Sequence, residues 1–189
     1  MSFATVQDLA AQMQITLTDT DPTAILQLAT ATGKMQDFMG QQIVQTLGDV
    51  VELGPINGAF VLLPELPVTA VSLVETFIPD PTTGIAAWTV ADPATYTVSK
   101  QMGIIAAKPG CGVTWPTDPE SWRVTYDHGY ATIPPSLVGV CATVAARAYV
   151  SPDGVDLERI GGYQAKYSAD VFSATEQSTM YRYMLADVA

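Results

Sequence analysis

Residues 121–152 read SWRVTYDHGYATIPPSLVGVCATVAARAYVSP, and this stretch decides the fold. Trp122, Val124 and Tyr126 alternate with Arg123, Thr125 and Asp127, the two-residue period of a half-buried strand. Asp127-His128-Gly129 ends the strand, because Gly129 can take a backbone conformation that a side chain resists. Pro134 and Pro135 fit only the first turn of a helix, where the missing N–H groups are not needed. Leu137, Cys141, Val144 and Ala148 follow at helical spacing, and Val138, Val140 and Ala145 widen the apolar face. So apolar a face of small residues belongs in a core.

Upstream, the pattern is helical first. Thr5 precedes Val6, Leu9, Ala10 and Met13, with Asp8 at the capping-box position. Asp21-Pro22 starts a second helix, in which Ile25, Leu28, Thr32, Met35 and Met39 recur every three or four residues until Gly40. The methionines at this spacing read as core, and Gly33 calls for a close packing contact to offset its cost.

From Asp49 the period becomes alternating. Val50–Leu53 and Ala59–Leu63 flank Gly54-Pro55-Ile56-Asn57-Gly58, which reads as a hairpin connection. Thr69–Phe77, Trp88–Val90, Tyr96–Ser99 and Gly103–Ala106 give further strands, and Pro64 and Pro67 argue against a central strand between them. Strands joined by turns, with no helices between, predict an antiparallel sheet or small barrel.

Downstream, Asp153, Asp156 and Glu158 read as a solvated acidic loop without the spacing of a calcium site. After Gly161-Gly162, Tyr163, Ala165 and Tyr167 alternate with polar residues as an extended arm. Ser173-Ala174-Thr175-Glu176 is a capping box that starts a last short helix through Met180, Tyr181, Met184 and Leu185. The division is therefore 1–46, N-terminal helices; 47–132, an inserted β subdomain; 133–160, core helix and following loop; 161–189, C-terminal arm and helix. The fold class is α+β, a small antiparallel helical bundle carrying that sheet or barrel.

The run V-T-Y-x-H-G-Y-x-x-I-P at Val124–Pro134, followed by an alanine-rich helix containing Arg147, resembles the head-to-tail adaptor proteins of long-tailed double-stranded DNA bacteriophages. The stretch L-L-P-E-L-P-V-T-A-V-S-L-V from Leu62 to Val74 looks like that family's first β-hairpin and the strand after it. The β segment here is far longer than the simple hairpin of the compact adaptors. The resemblance implies a homo-oligomeric, twelve-fold ring in the virion at the head–tail interface, assembled in the host bacterial cytoplasm. It further implies a portal protein above, a stopper or tail completion protein below, and genomic DNA passing through an axial channel.

Composition agrees with a structural part. Charged residues are 14% of the chain against 48% hydrophobic ones, a low charge content that suits a surface partly covered by other subunits. The net charge is -11, and the first sixty residues hold only Lys34 against six acids. No basic stripe stands in the sequence to neutralise phosphates, which argues against sequence-specific DNA binding, and a net acidic or neutral channel is expected. The N-terminus shows no leader pattern and no stretch approaches a membrane span.

Chemistry is nearly absent from the sequence. His128 is the only histidine, and it reads as holding its turn through a backbone hydrogen bond. Cys141 lies on the apolar helix face, where a thiolate is disfavoured, and Cys111 sits in a glycine-flanked loop. There is no phosphate loop, nucleophile elbow or zinc spacing, and the pair Asp118/Glu120 has no cleft. No catalytic, cofactor or metal residues are assigned, and the chain is read as not an enzyme.

Two other functions remain open: a stopper or tail completion protein, and a β-sheet carbohydrate-binding module using Trp88, Trp115 and Trp122, of which only Trp115 is expected to be exposed. The C-terminal segment is assigned to portal docking through Tyr163, Tyr167, Phe172, Met180, Tyr181, Met184 and Leu185, since a helix so short needs something to lie on. The competing reading folds that helix back to complete the chain's own bundle.

Overall fold

Two helices open the chain, α1 (Val6–Met13) and α2 (Pro22–Met39). The strands β1 (Thr46–Leu53), β2 (Phe60–Leu62), β3 (Val68–Pro79), β4 (Ala86–Val90), β5 (Tyr96–Ser99), β6 (Ile104–Ala107) and β7 (Trp122–His128) follow. Helix α3 (Pro135–Val150), strands β8 (Leu157–Ile160) and β9 (Tyr163–Lys166), and helix α4 (Ala174–Met180) complete the order. The computed structural model describes residues 2–56, 60–79, 84–112, 115–151, 157–160, 163–166 and 172–185. The fold is α+β, in two compact units: residues 1–41 with 133–189, and residues 42–132.

In the helical unit the ends are set by local capping. Thr5 accepts from the Asp8 N–H, and the Asp8 carboxylate accepts in return from the Thr5 N–H at 2.7 Å. Hydrogen bonds from Thr5 hold the Asp8 carboxyl below its ordinary range. Asp21 caps α2 through the Ala24 N–H at 2.8 Å with Pro22 at the first helical position, and Gly40 closes it at φ +69. Met35 and Met39 are buried, as their spacing predicts. Helix α3 begins at Pro135 and buries Leu137, Val140, Cys141, Ala142, Val144 and Ala145. Gly33 departs from expectation. A Cβ there would meet nothing within 4 Å, so no close packing requires the glycine.

In the β unit, β1-β7-β3-β4 form one antiparallel sheet and β2-β6-β5 another. Val68, Val74, Trp122, Val124 and Tyr126 of the first sheet and Val61 and Ile105 of the second share one core with Leu63 and Trp115. Burial along β7 alternates as its sequence does. The anticipated hairpin between Val50–Leu53 and Ala59–Leu63 does not form. β1 pairs with β7, opposite Val124 and Trp122, and β2 pairs with β6. Alternation marks a strand but not its neighbour, and β7 needs apolar partners on both sides to bury its inward row.

Trp115 is also not where the sequence put it. It is buried and stacks on Trp122 at 4.5 Å and 15° between planes, while the Trp122 indole donates to the Pro116 carbonyl at 3.2 Å. That bond folds the irregular 115–116 segment over the strand. Gly129 is needed as expected: at φ +81, a Cβ would lie 2.6 Å from the Val44 carbonyl oxygen.

One more correction concerns the chain after α3. Leu157–Ile160, read as the end of an acidic loop, is a strand paired antiparallel with Tyr163–Lys166. The arm's alternation finds its partner in the residues just before it. Asp153, Asp156 and Gly161-Gly162 lie outside the described residues.

Candidate assembly surfaces

The C-terminal helix is held within its own unit by one side chain that does two things. Glu176 closes the capping box, accepting from the Ser173 N–H at 2.7 Å, and it also receives both guanidinium nitrogens of Arg147, at 3.0 and 2.9 Å. Burial tends to raise the Glu176 carboxyl, but the Arg147 fork and the Ser173 bonds outweigh it and hold the group below its ordinary range. Phe172 meets Phe38 edge-on at 5.4 Å, and Met180 is fully buried. Tyr183 adds a hydroxyl contact to Ser136 at 3.0 Å, and its carbonyl accepts from the Gln41 amide.

This divides the residues assigned to docking. Phe172 and Met180 are spent in the chain's own bundle, which removes them from any partner surface. Tyr181 keeps 59% of its surface exposed and Met184 37%, with Leu185 half-buried beside them. Tyr163 lies in β9 and Tyr167 outside the described residues. An amphipathic pattern states that a face must be covered, not by what. That is why the sequence could not separate the buried pair from the exposed one.

The second surface is the outer face of the four-stranded sheet. Arg123 pairs with Glu52 at 3.0 Å and Glu75 at 3.7 Å and lies 4.0 Å over the Trp88 ring. Trp88 in turn touches Phe77, at 5.3 Å between ring centres. Val50, Phe77 and Val90 are exposed around this cluster. The outward place of Arg123 is visible in the alternation of β7, but the carboxylates and the indole that meet it come from three other strands. With Trp115 and Trp122 buried and Trp88 under a guanidinium, the three indoles make no open stacking platform.

His128 is buried in the β unit, with Nε2 3.4 Å from the Asp49 carboxylate and Nδ1 without a partner. The expected backbone hydrogen bond is not made. Tyr126 packs at 5.0 Å, and burial pushes its phenol up. Burial also raises Glu65, against the pull of the Gln42 N–H donating to it at 2.6 Å. Cys141 is buried in the helical unit, where desolvation raises its thiol. A groove of about 350 Å³ between α1 and α3 is lined by Gln12, Met13, Thr143, Ala146, Arg147, Val150 and Ser151, and its two hydroxyls have no histidine or carboxylate in that lining to activate them. Among the described residues no set of three side chains could hold a metal, and no helix is long and apolar enough to cross a membrane.

No protein-family model matches the sequence, and no curated protein matches it. Solved structures do. The chain is similar to one in the neck of an empty gene transfer agent particle computed with C6 symmetry, with a TM-score of 0.59 and 17% identity over 97% of this chain and 90% of that one. A chain in the neck of the native particle computed with C12 symmetry gives 0.56 and 18% over 97% and 92%. One in the virion of the native particle gives 0.56 and 17% over 97% and 90%. The likeness is one of fold, and it spans both units.

Proposed function

We propose that this chain is a structural neck component of a phage-like particle, a head-to-tail adaptor whose copies form a ring beneath the portal and continue the DNA channel toward the tail. The observation that carries the reading is coverage: 97% of the chain, helices and sheets together, follows the fold of a chain found in a neck. Necks computed with six-fold and twelve-fold symmetry support a ring, and twelve copies is the number proposed here. The exposed apolar residues of both units fit a subunit whose surface is covered in an assembly.

The charge fits the same role. At -11 per subunit the ring repels the phosphate backbone, so duplex DNA slides rather than binds. Tyr181, Met184 and Leu185 are the residues offered to the portal above, and a stopper or tail completion protein sits below. No catalytic role is assigned to any side chain.

Purified chain mixed with portal and imaged by electron microscopy tests the reading. A closed ring on the portal's tail-facing end is the expected outcome. Binding to tail components with none to portal would make the chain a stopper or tail completion protein instead. Tight, salt-sensitive capture of linear DNA by the ring would overturn the channel assignment.

A further inference from the structure

Sheets end in edges, and an edge that is neither short, bulged nor charged is a template for another strand. The edges of the β unit differ in this respect. β1 carries Asp49 and Glu52 and a register shift between Thr46 and Asp49, with Gly48 at φ +65. β2 has three residues, and β5 has four, next to Asp92 and Lys100. β4 is Ala86–Val90, AAWTV, without charge, proline or bulge, and among the described residues nothing pairs with its outer side.

The ladder shows which groups that edge presents. Ala91 N–H donates to the Val74 carbonyl at 2.8 Å, so residue 91 turns toward β3, whereas Phe77 N–H turns away from β4 to the Ser121 carbonyl at 2.8 Å. Antiparallel pairing alternates, so Ala87 and Thr89 also turn inward. Ala86, Trp88 and Val90 therefore direct their N–H and C=O groups outward.

The helical unit carries the complementary oddity. Among the described residues β8 and β9 pair only with each other, four residues against four. A two-stranded hairpin alone in water is marginal, and it needs a third strand or a packed face. Its sequence carries Arg159 and Lys166 against Glu158, while Glu75, on the strand next to β4 and opposite Val90, shares Arg123 with the more distant Glu52 and leaves that face one negative charge in excess.

We infer that the β8–β9 hairpin of a second copy of this chain adds to the β4 edge, extending the four-stranded sheet across the subunit boundary. The two surfaces differ, so the contact is head-to-tail and propagates around an axis; a two-fold dimer would not use it this way. This rests on the proposed ring and names what joins its subunits. Main-chain hydrogen bonds supply the attraction and the hairpin's side chains the register.

Val90→Pro tests it, because proline removes an outward N–H and leaves the bonds to β3 in place. Val90→Thr keeps that N–H and serves as the control. A third variant replaces residues 157–166 by a Gly-Ser run of equal length. Sedimentation of the full-length chain over a concentration series, alone and with portal, reads association, and hydrogen exchange reads the Trp88 and Val90 amides. Expected are at least tenfold weaker association for Val90→Pro and the replacement, unchanged association for Val90→Thr, native tryptophan fluorescence throughout, and amides protected only in the assembled wild type. Association of Val90→Pro at the wild-type level overturns the inference. So does protection of both amides in the dilute monomer, where the edge would be covered within one chain, or a wild type that stays monomeric throughout. An open fibre abolished by Val90→Pro leaves the edge pairing standing and removes the ring instead, whereas a closed two-fold dimer overturns the head-to-tail contact.

Discussion

The helical unit sets its helix ends over short spans of sequence, whereas in the β unit the strands themselves depend on partners far along the chain. Thr5 and Asp8, Asp21 and Ala24, and Ser173 and Glu176 each close a helix end within three residues. In the β unit Glu52 meets Arg123, Trp122 faces Thr76 and Leu53, and Gly129 approaches Val44. Among the described residues, the buried polar side-chain atoms without a partner, Trp115 Nε1, Tyr126 Oη and His128 Nδ1, belong to the β unit. A helix end satisfied within three residues tolerates change elsewhere in the chain. A unit whose strands meet only in the folded state concentrates its stability in a few positions, and the two should break differently.

All three tryptophans, Trp88, Trp115 and Trp122, lie in the β unit, so fluorescence reports that unit while ellipticity at 222 nm follows the helices. The largest effect is expected for Trp122→Ala, which removes the fully buried ring that Trp115 stacks on. It should cost about 4 kcal/mol, read by denaturant unfolding followed by fluorescence. A loss under about 1 kcal/mol would mean that β7 does not organise this core.

Next comes Gly129→Ala. A positive φ and a backbone oxygen 2.6 Å from the new methyl should together destabilise the β unit by about 3 kcal/mol. Equal loss in fluorescence and ellipticity transitions would show that the two units unfold as one; an earlier fluorescence transition would sharpen the contrast between them.

In the helical unit, Arg147→Ala should cost about 1–2 kcal/mol. The penalty of leaving Glu176 buried is discounted because the Arg147 side chain is 42% exposed. The same pair sets a pH dependence. Glu176 is depressed when folded, so its contribution is present above its unfolded value of 4.5 and is lost as pH falls through the folded value. Glu65 is raised, so its contribution runs the other way, present below 4.5 and lost as pH rises through its folded value. As pH falls below 4.5 the amides of α4 should therefore lose protection relative to intrinsic exchange, while those around Glu65 should not. Simultaneous loosening of both would count against the Arg147–Glu176 latch.

The smallest effect is a gain. Gly33→Ala adds a methyl into open space on α2 and should stabilise the helical unit by up to about 1 kcal/mol. A loss in the isolated chain would reveal a packing need that the fold does not show. Loss confined to the assembled ring would place Gly33 at a subunit contact.

The candidate surfaces were legible in part. The capping box at Ser173–Glu176 and the apolar face of the last helix stand in the sequence, yet Phe172 and Met180 pack inward while Tyr181 and Met184 stay outside. Periodicity reports that a face is apolar; its cover is a long-range fact. The same limit applies to AAWTV. Its lack of charge is plain, but only the strand order makes it an edge. Trp115 beside Pro116 looks like an exposed loop residue until Trp122 gives it something to stack on.

What the sequence determined by itself is local: the helix ends, the core face of α3, the alternation of β7 and the glycine that follows it. Side-chain caps and backbone sterics act over three or four residues, so composition in a short window suffices to specify them. The tertiary structure decided which strands are neighbours, which carboxylates meet Arg123 and Arg147, and which of the last helix's apolar residues remain exposed. Those outcomes depend on contacts between residues tens of positions apart, whose loop-closure cost is met only when the whole core forms.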